Sequence, residues 1–169
     1  LGEVCIVLNP NSIPGNTFEG DRNNPVDIQS GLSKVAPGGK LIFIVSGETY
    51  TASTSYNTIT SNKQGVKLIG NNTIMKGYTI IASQNQFEVH NFIFTESSDA
   101  VFICIGSDCV INNCTFRENG GISCSNGSTV RVLGDNLTIT NSKFINNRVG
   151  ESNTEVGGCV FVNASNLRI

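Results

Sequence analysis

Between Phe87 and Asn147 one phrase is written three times. Val89-His90-Asn91-Phe92-Ile93-Phe94-Thr95-Glu96-Ser97 comes first, then Ile111-Asn112-Asn113-Cys114-Thr115-Phe116-Arg117-Glu118-Asn119, then Ile139-Thr140-Asn141-Ser142-Lys143-Phe144-Ile145-Asn146-Asn147. Each reads aliphatic, any residue, Asn, two residues, Phe, two residues, then Asn or Ser. The Phe positions are 22 and then 28 residues apart. A recurrence of this length marks a repeat architecture, in which one unit cannot bury its own apolar side and stacked units can.

Each phrase holds two short apolar alternations interrupted at an Asn. Alternation of period two signals a strand, and an Asn that tolerates left-handed backbone marks a bend. Short strands joined by bends, repeating about every 22 residues, describe one coil of a right-handed parallel β-helix. The expected fold is therefore all-β: a solenoid with a short N-terminal capping helix. A β-sandwich of short strands is the competing fold, but it has no need for the same Asn and Phe at each turn. In the solenoid, Phe94, Phe116 and Phe144 sit above one another inside. Asn91, Asn113 and Asn141 form a structural ladder at the bend, each amide bonding the next.

Composition agrees with strands. Ile and Val together number 33 against 8 Leu, and this excess of β-branched side chains favours strand over helix. The 22 Asn and 18 Gly supply bends. A net charge of -2 leaves no basic footprint for nucleic acid. No apolar run approaches the roughly 18 residues of a membrane span. The chain reads as one domain over 1–169, with a strand, loop and capping helix in 1–40 and stacked coils in 41–169. The helix is expected over 24–36, capped by Asn24 or Asp21, started by Pro25 and stopped by Pro37-Gly38-Gly39. Strands are expected at 3–9, at Lys40–Val45 and at Tyr78–Ile81, while 51–63 reads as a solvated strand or a loop. Val66–Met75 is a degenerate copy of the repeat, with Gly70 in the place of Asn91.

A second internal match aligns residues 120–132 with 157–169 at an offset of 37, which makes 133–136 and 148–156 inserted loops. The chain begins at Leu1, as a processed or trimmed product would, and Ile169 falls inside that second copy. The sequence therefore reads as the N-terminal part of a longer chain. Further coils or other protein chains are expected to stack at its C-terminal end.

Six cysteines lack zinc spacing, since there is no CxxC and His90 is the single histidine. They point to an oxidising compartment with at least one disulfide; Cys104, Cys109, Cys114 and Cys124 are the candidates, and spacing leaves their pairing open. Five acceptor sequons begin at Asn71, Asn113, Asn126, Asn136 and Asn163. Asn126 and Asn136 lead as glycosylation candidates, followed by Asn71 and Asn163; Asn113 belongs to the internal ladder and is expected unmodified. Together these features point to an extracellular or cell-surface chain.

Phe116-Arg117-Glu118-Asn119 and Phe144-Ile145-Asn146-Asn147 fit F-x-x-N, and Gly120-Gly121-Ile122 and Gly157-Gly158-Cys159-Val160 approach G-G-A-[ILV]. The pair resembles the repeats of chlamydial polymorphic outer-membrane proteins and of similar repeat proteins. Residues 24–50 resemble the N-terminal region of pectin-lyase-like β-helix proteins, with a Pro-containing loop, a short helix, a Pro-Gly turn and a strand running to Gly-x-Tyr. These resemblances imply a right-handed β-helix at the cell surface, acting as a stalk, a surface filament or an adhesin. Neither Gly-Gly is followed by Ala, and about half of the chain carries the pattern.

Chemistry on such a fold needs acids gathered on one face, as in hydrolysis by two carboxylates. The best grouping in sequence is Glu96, Asp99, Asp108 and Glu118 with Arg117. Asp99, in Ser97-Ser98-Asp99-Ala100-Val101-Phe102-Ile103, resembles a short Asp-bearing segment of polygalacturonases. The paired Asp, His-Gly and Arg-x-Lys of those enzymes are absent from the sequence. Asp99 and Asp108 are thus the weak catalytic alternatives, and both read more simply as turn residues. His90 falls at an outward strand position. No cofactor or metal is expected. The expected role is non-enzymatic, structural or adhesive, with cell-surface glycans among the partners; the alternative is a carbohydrate-active enzyme or binding module acting on polysaccharide.

Overall fold

The computed structural model describes residues 5–8 (as backbone), 27–53, 57–120, 129–148 and 159–169. It is an all-β solenoid with one short helix. The elements are β1 (Cys5–Leu8), α1 (Ile28–Lys34), β2 (Lys40–Phe43), β3 (Thr49–Thr51), β4 (Thr58–Ser61), β5 (Lys67–Lys76), β6 (Thr79–Ala82), β7 (Glu88–Thr95), β8 (Phe102–Cys104), β9 (Val110–Asn112), β10 (Thr115–Arg117), β11 (Val130–Val132), β12 (Thr138–Thr140), β13 (Lys143–Ile145) and β14 (Val160–Val162). They form two parallel sheets. One follows β1-β2-β5-β7-β10-β13, with β9 pairing β7 and β12 and with β3 pairing β5; the other runs β4-β6-β8-β11-β14.

Each coil turns where the backbone takes positive φ, and the stacking of coils sorts those residues into three columns. Gly38, Gly65, Gln86, Asp108, Asn136 and Asn166 share φ between 59° and 75°. In this column each N–H but the last donates to the carbonyl of the residue just before the next member, as Asp108 does to Asp135 at 2.8 Å. The second column is Gly47, Asn72, Asn91, Asn113 and Asn141; the third is Gly77, Glu96, Glu118 and Asn146. Gly, Asn and Asp predominate because a Cβ makes left-handed backbone cost roughly 1–2 kcal/mol, a cost that glycine escapes and a short polar side chain offsets. Among the described residues the remaining positive-φ one, Gly120, has φ +97° and a backbone so close to Arg148 that a Cβ would lie 1.9 Å from its carbonyl oxygen.

The interior is filled by rows that run along the axis. Leu41, Leu68, Val89, Ile111 and Ile139 occupy one row in register, all of them buried. Met75, Phe94, Phe116 and Phe144 occupy the next. Phe94 and Phe116 stack at 5.0 Å between centroids, and Phe116 and Phe144 at 4.9 Å with 6° between planes. Ile80, Phe102 and Val130 line the second sheet from inside.

The asparagines divide by role in a way that the repeat alone does not reveal. Asn113 Nδ2 donates to Asn91 Oδ1 at 2.8 Å, whereas Asn141 Nδ2 donates to Asn112 Oδ1 at 3.3 Å rather than to Asn113. This ladder lies on the outside; Asn113 and Asn141 are exposed, which corrects the interior placement of Asn113. The buried amide is that of Asn119, the last residue of the F-x-x-N phrase. Its Nδ2 donates to Phe94 O at 3.0 Å, and its Oδ1 accepts from Ser97 N at 3.1 Å. Asn147 repeats the pattern one coil on, donating to Phe116 O and accepting from Asn119 N. Asn119→Ala therefore strands two buried backbone groups, and urea unfolding is expected to show a loss of about 2 kcal/mol. A loss within a few tenths would mean that water replaces the amide.

Several boundaries differ from the sequence reading. The helix cap is Asp27, whose carboxylate accepts from Ser30 N and Ser30 Oγ, rather than Asn24 or Asp21, which lie outside the described residues. Ile28 and Val35 reach the core and Lys63 Nζ donates to the carbonyls of Leu32, Ser33 and Val35, so α1 is held at both ends. The strand expected to reach Val45 stops at Phe43, and Ile44 and Val45 are exposed. In the degenerate copy Asn72, not Gly70, carries the left-handed backbone, because three residues oppose Asn91 between the pairs Ile69–His90 and Thr73–Phe92. The offset-37 match does not set the stacking: Val130 pairs with Val160, and residues 133–136 form an ordinary corner ending in the first column. The loop expected at 148–156 lies almost wholly outside the described residues.

Candidate functional site

Strand alternation that points the core rows inward points their neighbours out. Outward positions 21–28 residues apart in sequence then become nearest neighbours along the axis. On the outer face of the first sheet this joins Lys67, Glu88, His90, Asn112 and Thr140 into one track. Lys67 Nζ lies 3.8 Å from Glu88 Oε1, and Glu88 Oε2 lies 2.7 Å from His90 Nε2. His90 Nδ1 is 3.3 Å from Asn112 Nδ2, and Asn112 Oδ1 accepts from Thr140 Oγ1 at 3.0 Å. All five side chains are half-buried. His90 is thus held between a carboxylate and an amide on the outer face. The track escaped the sequence reading because its members belong to different coils. The available signal was that His90, Asn112 and Thr140 each stand one residue before the repeated Asn, with Glu88 two residues before His90 on the same strand face.

The outer face of the second sheet contrasts with it. Ile81, Ile103, Arg131 and Phe161 follow one another in register there, half-buried and mostly apolar.

The acids grouped from sequence separate into three places. Glu96 and Glu118 occupy successive positions of the third column, where Gly77 stands one coil before and Asn146 one coil after. Glutamate has no short side chain to favour left-handed backbone, so this pair is an outlier that asks for a role. Glu96 Oε2 is bound by Lys76 Nζ at 2.9 Å. Glu118 lines an open polar groove with Asn119, Asn146, Asn147 and Arg148. Arg117 is exposed, one residue away on β10. Asp108 lies at a different corner, in the first column, where its Oδ1 accepts from Asn136 Nδ2 at 2.9 Å. Asp99 lies in the connection between β7 and β8, where its Oδ1 accepts from Ala100 N. Asp99 and Asp108 therefore do not converge. Among the described residues no three His, Cys, Asp or Glu side chains are arranged to share a metal ion.

Among the sequon residues, Asn71 is exposed with Nδ2 donating to Ile44 O, Asn113 and Asn136 use their amides in the corner ladders, and Asn163 is exposed; Asn126 lies outside the described residues. Cys104, Cys109 and Cys114 are buried free thiols, Cys159 is an exposed one, and Cys124 lies outside the described residues. No described helix is long and apolar enough to cross a membrane.

No family model matches the chain, and no curated protein matches it. The F-x-x-N and Gly-Gly phrases thus have no matching family behind them. Among solved structures, the pectate lyase Pel9A matches with a TM-score of 0.57 and 21% identity over 82% of this chain. The match spans 38% of that protein's length. At this identity the likeness concerns the fold: the chain folds as a pectin-lyase-like parallel β-helix.

Proposed function

We propose that this chain is a non-enzymatic β-helix of the cell surface or extracellular space, with a structural or adhesive role. The observation that carries this reading is the engagement of its outward polar groups. The Lys67–Thr140 track and the Asp108–Asn136–Asn166 column bond along the axis from coil to coil. Groups tied in this way stabilise stacking and present a regular polar surface. The partners that suit the role are cell-surface glycans meeting the outer faces, and other coils or chains stacking on the β14 rung, where Leu167 and Ile169 are exposed.

A second reading, a carbohydrate-active domain, draws on the fold neighbour's being a pectate lyase and on the left-handed Glu96–Glu118 pair. One assay separates the two. The chain incubated with polygalacturonate and calcium is expected to release no unsaturated product, read by ultraviolet absorbance. Glu118→Asn is the matching variant, because Asn146 already holds the same corner one coil on. It removes the carboxylate and relieves the left-handed backbone, and is expected to raise stability by about 1 kcal/mol. Product release that Glu118→Asn abolishes would overturn the non-enzymatic reading.

A further inference from the structure

Cys104 ends β8 and Cys109 precedes β9, five residues later, so one tight corner separates them. Both side chains point inward. Cys104 stands in the row of Ala82, Val132 and Val162; Cys109 follows the buried Phe87 and precedes the buried Leu137 at equivalent corners. Beside them in the core, the Phe87 ring of the Cys109 row lies 5.9 Å from that of Phe102, two residues before Cys104 on β8. The corner between the cysteines is held by the preceding coil, since Ile105 N and Gly106 N both donate to Ala82 O. Cys104 and Cys109 are 0% and 1% exposed, Cys109 Sγ donates to Gly106 O at 3.4 Å, and the two thiols are near enough that each shifts the other's ionisation.

We propose that Cys104 and Cys109 are a thiol pair that closes to a disulfide across the corner between β8 and β9. This assignment rests on the placement of two buried thiols on either side of one corner and does not depend on the role proposed above. The third thiol nearby is placed differently. Cys114 lies beyond β9 in the row of Phe92, its Sγ is directed to Asn112 O at 3.3 Å, and burial pushes it up to about 12. In the pair, the neighbouring Cys104 thiol lowers the Cys109 thiol despite burial, so Cys109 is the attacking sulfur.

With oxidised glutathione as electron acceptor, Cys109 loses its proton to solvent and its thiolate attacks one sulfur of the glutathione disulfide, releasing one glutathione thiolate. Cys104 then gives up its proton and attacks Cys109 Sγ, releasing the second. Two protein thiols are oxidised to one disulfide, and one disulfide is reduced to two thiols. Because both sulfurs are covered, exchange proceeds through opening of the 105–108 corner, whose Ile105 and Asp108 are exposed, and is slow.

The test treats the full chain with oxidised glutathione, alkylates remaining thiols after unfolding, and digests without reductant. Trypsin with an aspartate-directed protease leaves Cys104 in residues 99–107 and Cys109 in 108–117. The expected result is these two fragments joined, lighter together by two hydrogen atoms, with tandem fragmentation placing the link on Cys109. Cys114→Ala is expected to keep the link. Alkylation of both Cys104 and Cys109, or a link from Cys109 to any other cysteine, would overturn the proposal. The wild-type digest decides even if the variant does not fold.

Discussion

Replacing Phe116 with alanine is expected to lower the unfolding free energy by about 3–5 kcal/mol, the range for removing a buried ring and leaving a cavity. Phe116 is fully buried and lies between two other rings, with Phe94 on one side and Phe144 on the other. Its neighbours are fixed by parallel pairing on both sides, Phe116 with Phe94 and with Phe144. They cannot collapse into the gap without breaking the register that sets coil spacing. Beyond the area lost, two aromatic contacts disappear, each contributing about 0.5–1.5 kcal/mol. For a domain of this size the midpoint of thermal unfolding should fall by about 10 °C. Phe144→Ala is the internal comparison: its ring is half-buried, so its loss should cost less. Equal costs at the two positions would mean that the stack does not deepen toward Phe116.

Gly134→Ala is expected to cost about 3 kcal/mol or more, at or beyond the upper end of overpacking penalties. A Cβ at Gly134 would lie 2.1 Å from Gly106 O and 2.4 Å from Gly106 C. Gly106 is the equivalent residue of the preceding coil and is itself pressed on Gln84, where a Cβ would meet the carbonyl oxygen at 2.1 Å. The obstacle is backbone in both cases, so no side chain can swing aside. Relief requires that the coils separate at this corner, where Leu133 N and Gly134 N both donate to Cys104 O. Chemical denaturation of Gly134→Ala measures the effect. By contrast, a Cβ at Gly47 would meet nothing within 4 Å, so substitution there meets only the strain of its left-handed backbone.

The repeated Asn and Phe were enough to read a solenoid, because a residue recurring at equivalent places in each coil is a local signal with one geometrical explanation. Phe94, Phe116 and Phe144 could be aligned by counting, and so could the bends at Asn91, Asn113 and Asn141. The helix was legible as a pattern but its cap was not: Asn24, Asp21 and Asp27 are all capping residue types, and the choice fell to which side-chain oxygen meets Ser30 N. Likewise the offset-37 match was a true resemblance between segments that stack in another register, Val130 against Val160, because the number of residues in each corner, rather than sequence similarity, sets which residues become neighbours. Asn119 shows the same limit. Its type was visible, but its burial and its bonds to Phe94 O and Ser97 N depend on the coil before it.

The sequence by itself determined the class of fold, the inward row of Phe94, Phe116 and Phe144 and the bends at Asn91, Asn113 and Asn141, since alternation and left-handed tolerance belong to residues and their immediate neighbours. Only the tertiary structure decided which outward groups meet. Lys67, Glu88, His90, Asn112 and Thr140 become a track because parallel pairing converts separations of 21–28 residues into single steps along the axis, with Glu88 and His90 joined along one face of β7. The same pairing placed Glu96 above Glu118 and sent Asp108 to another corner, although all three looked like one cluster in the sequence. Contacts between coils depend on the length of every intervening corner, and that sum is a property of the folded chain.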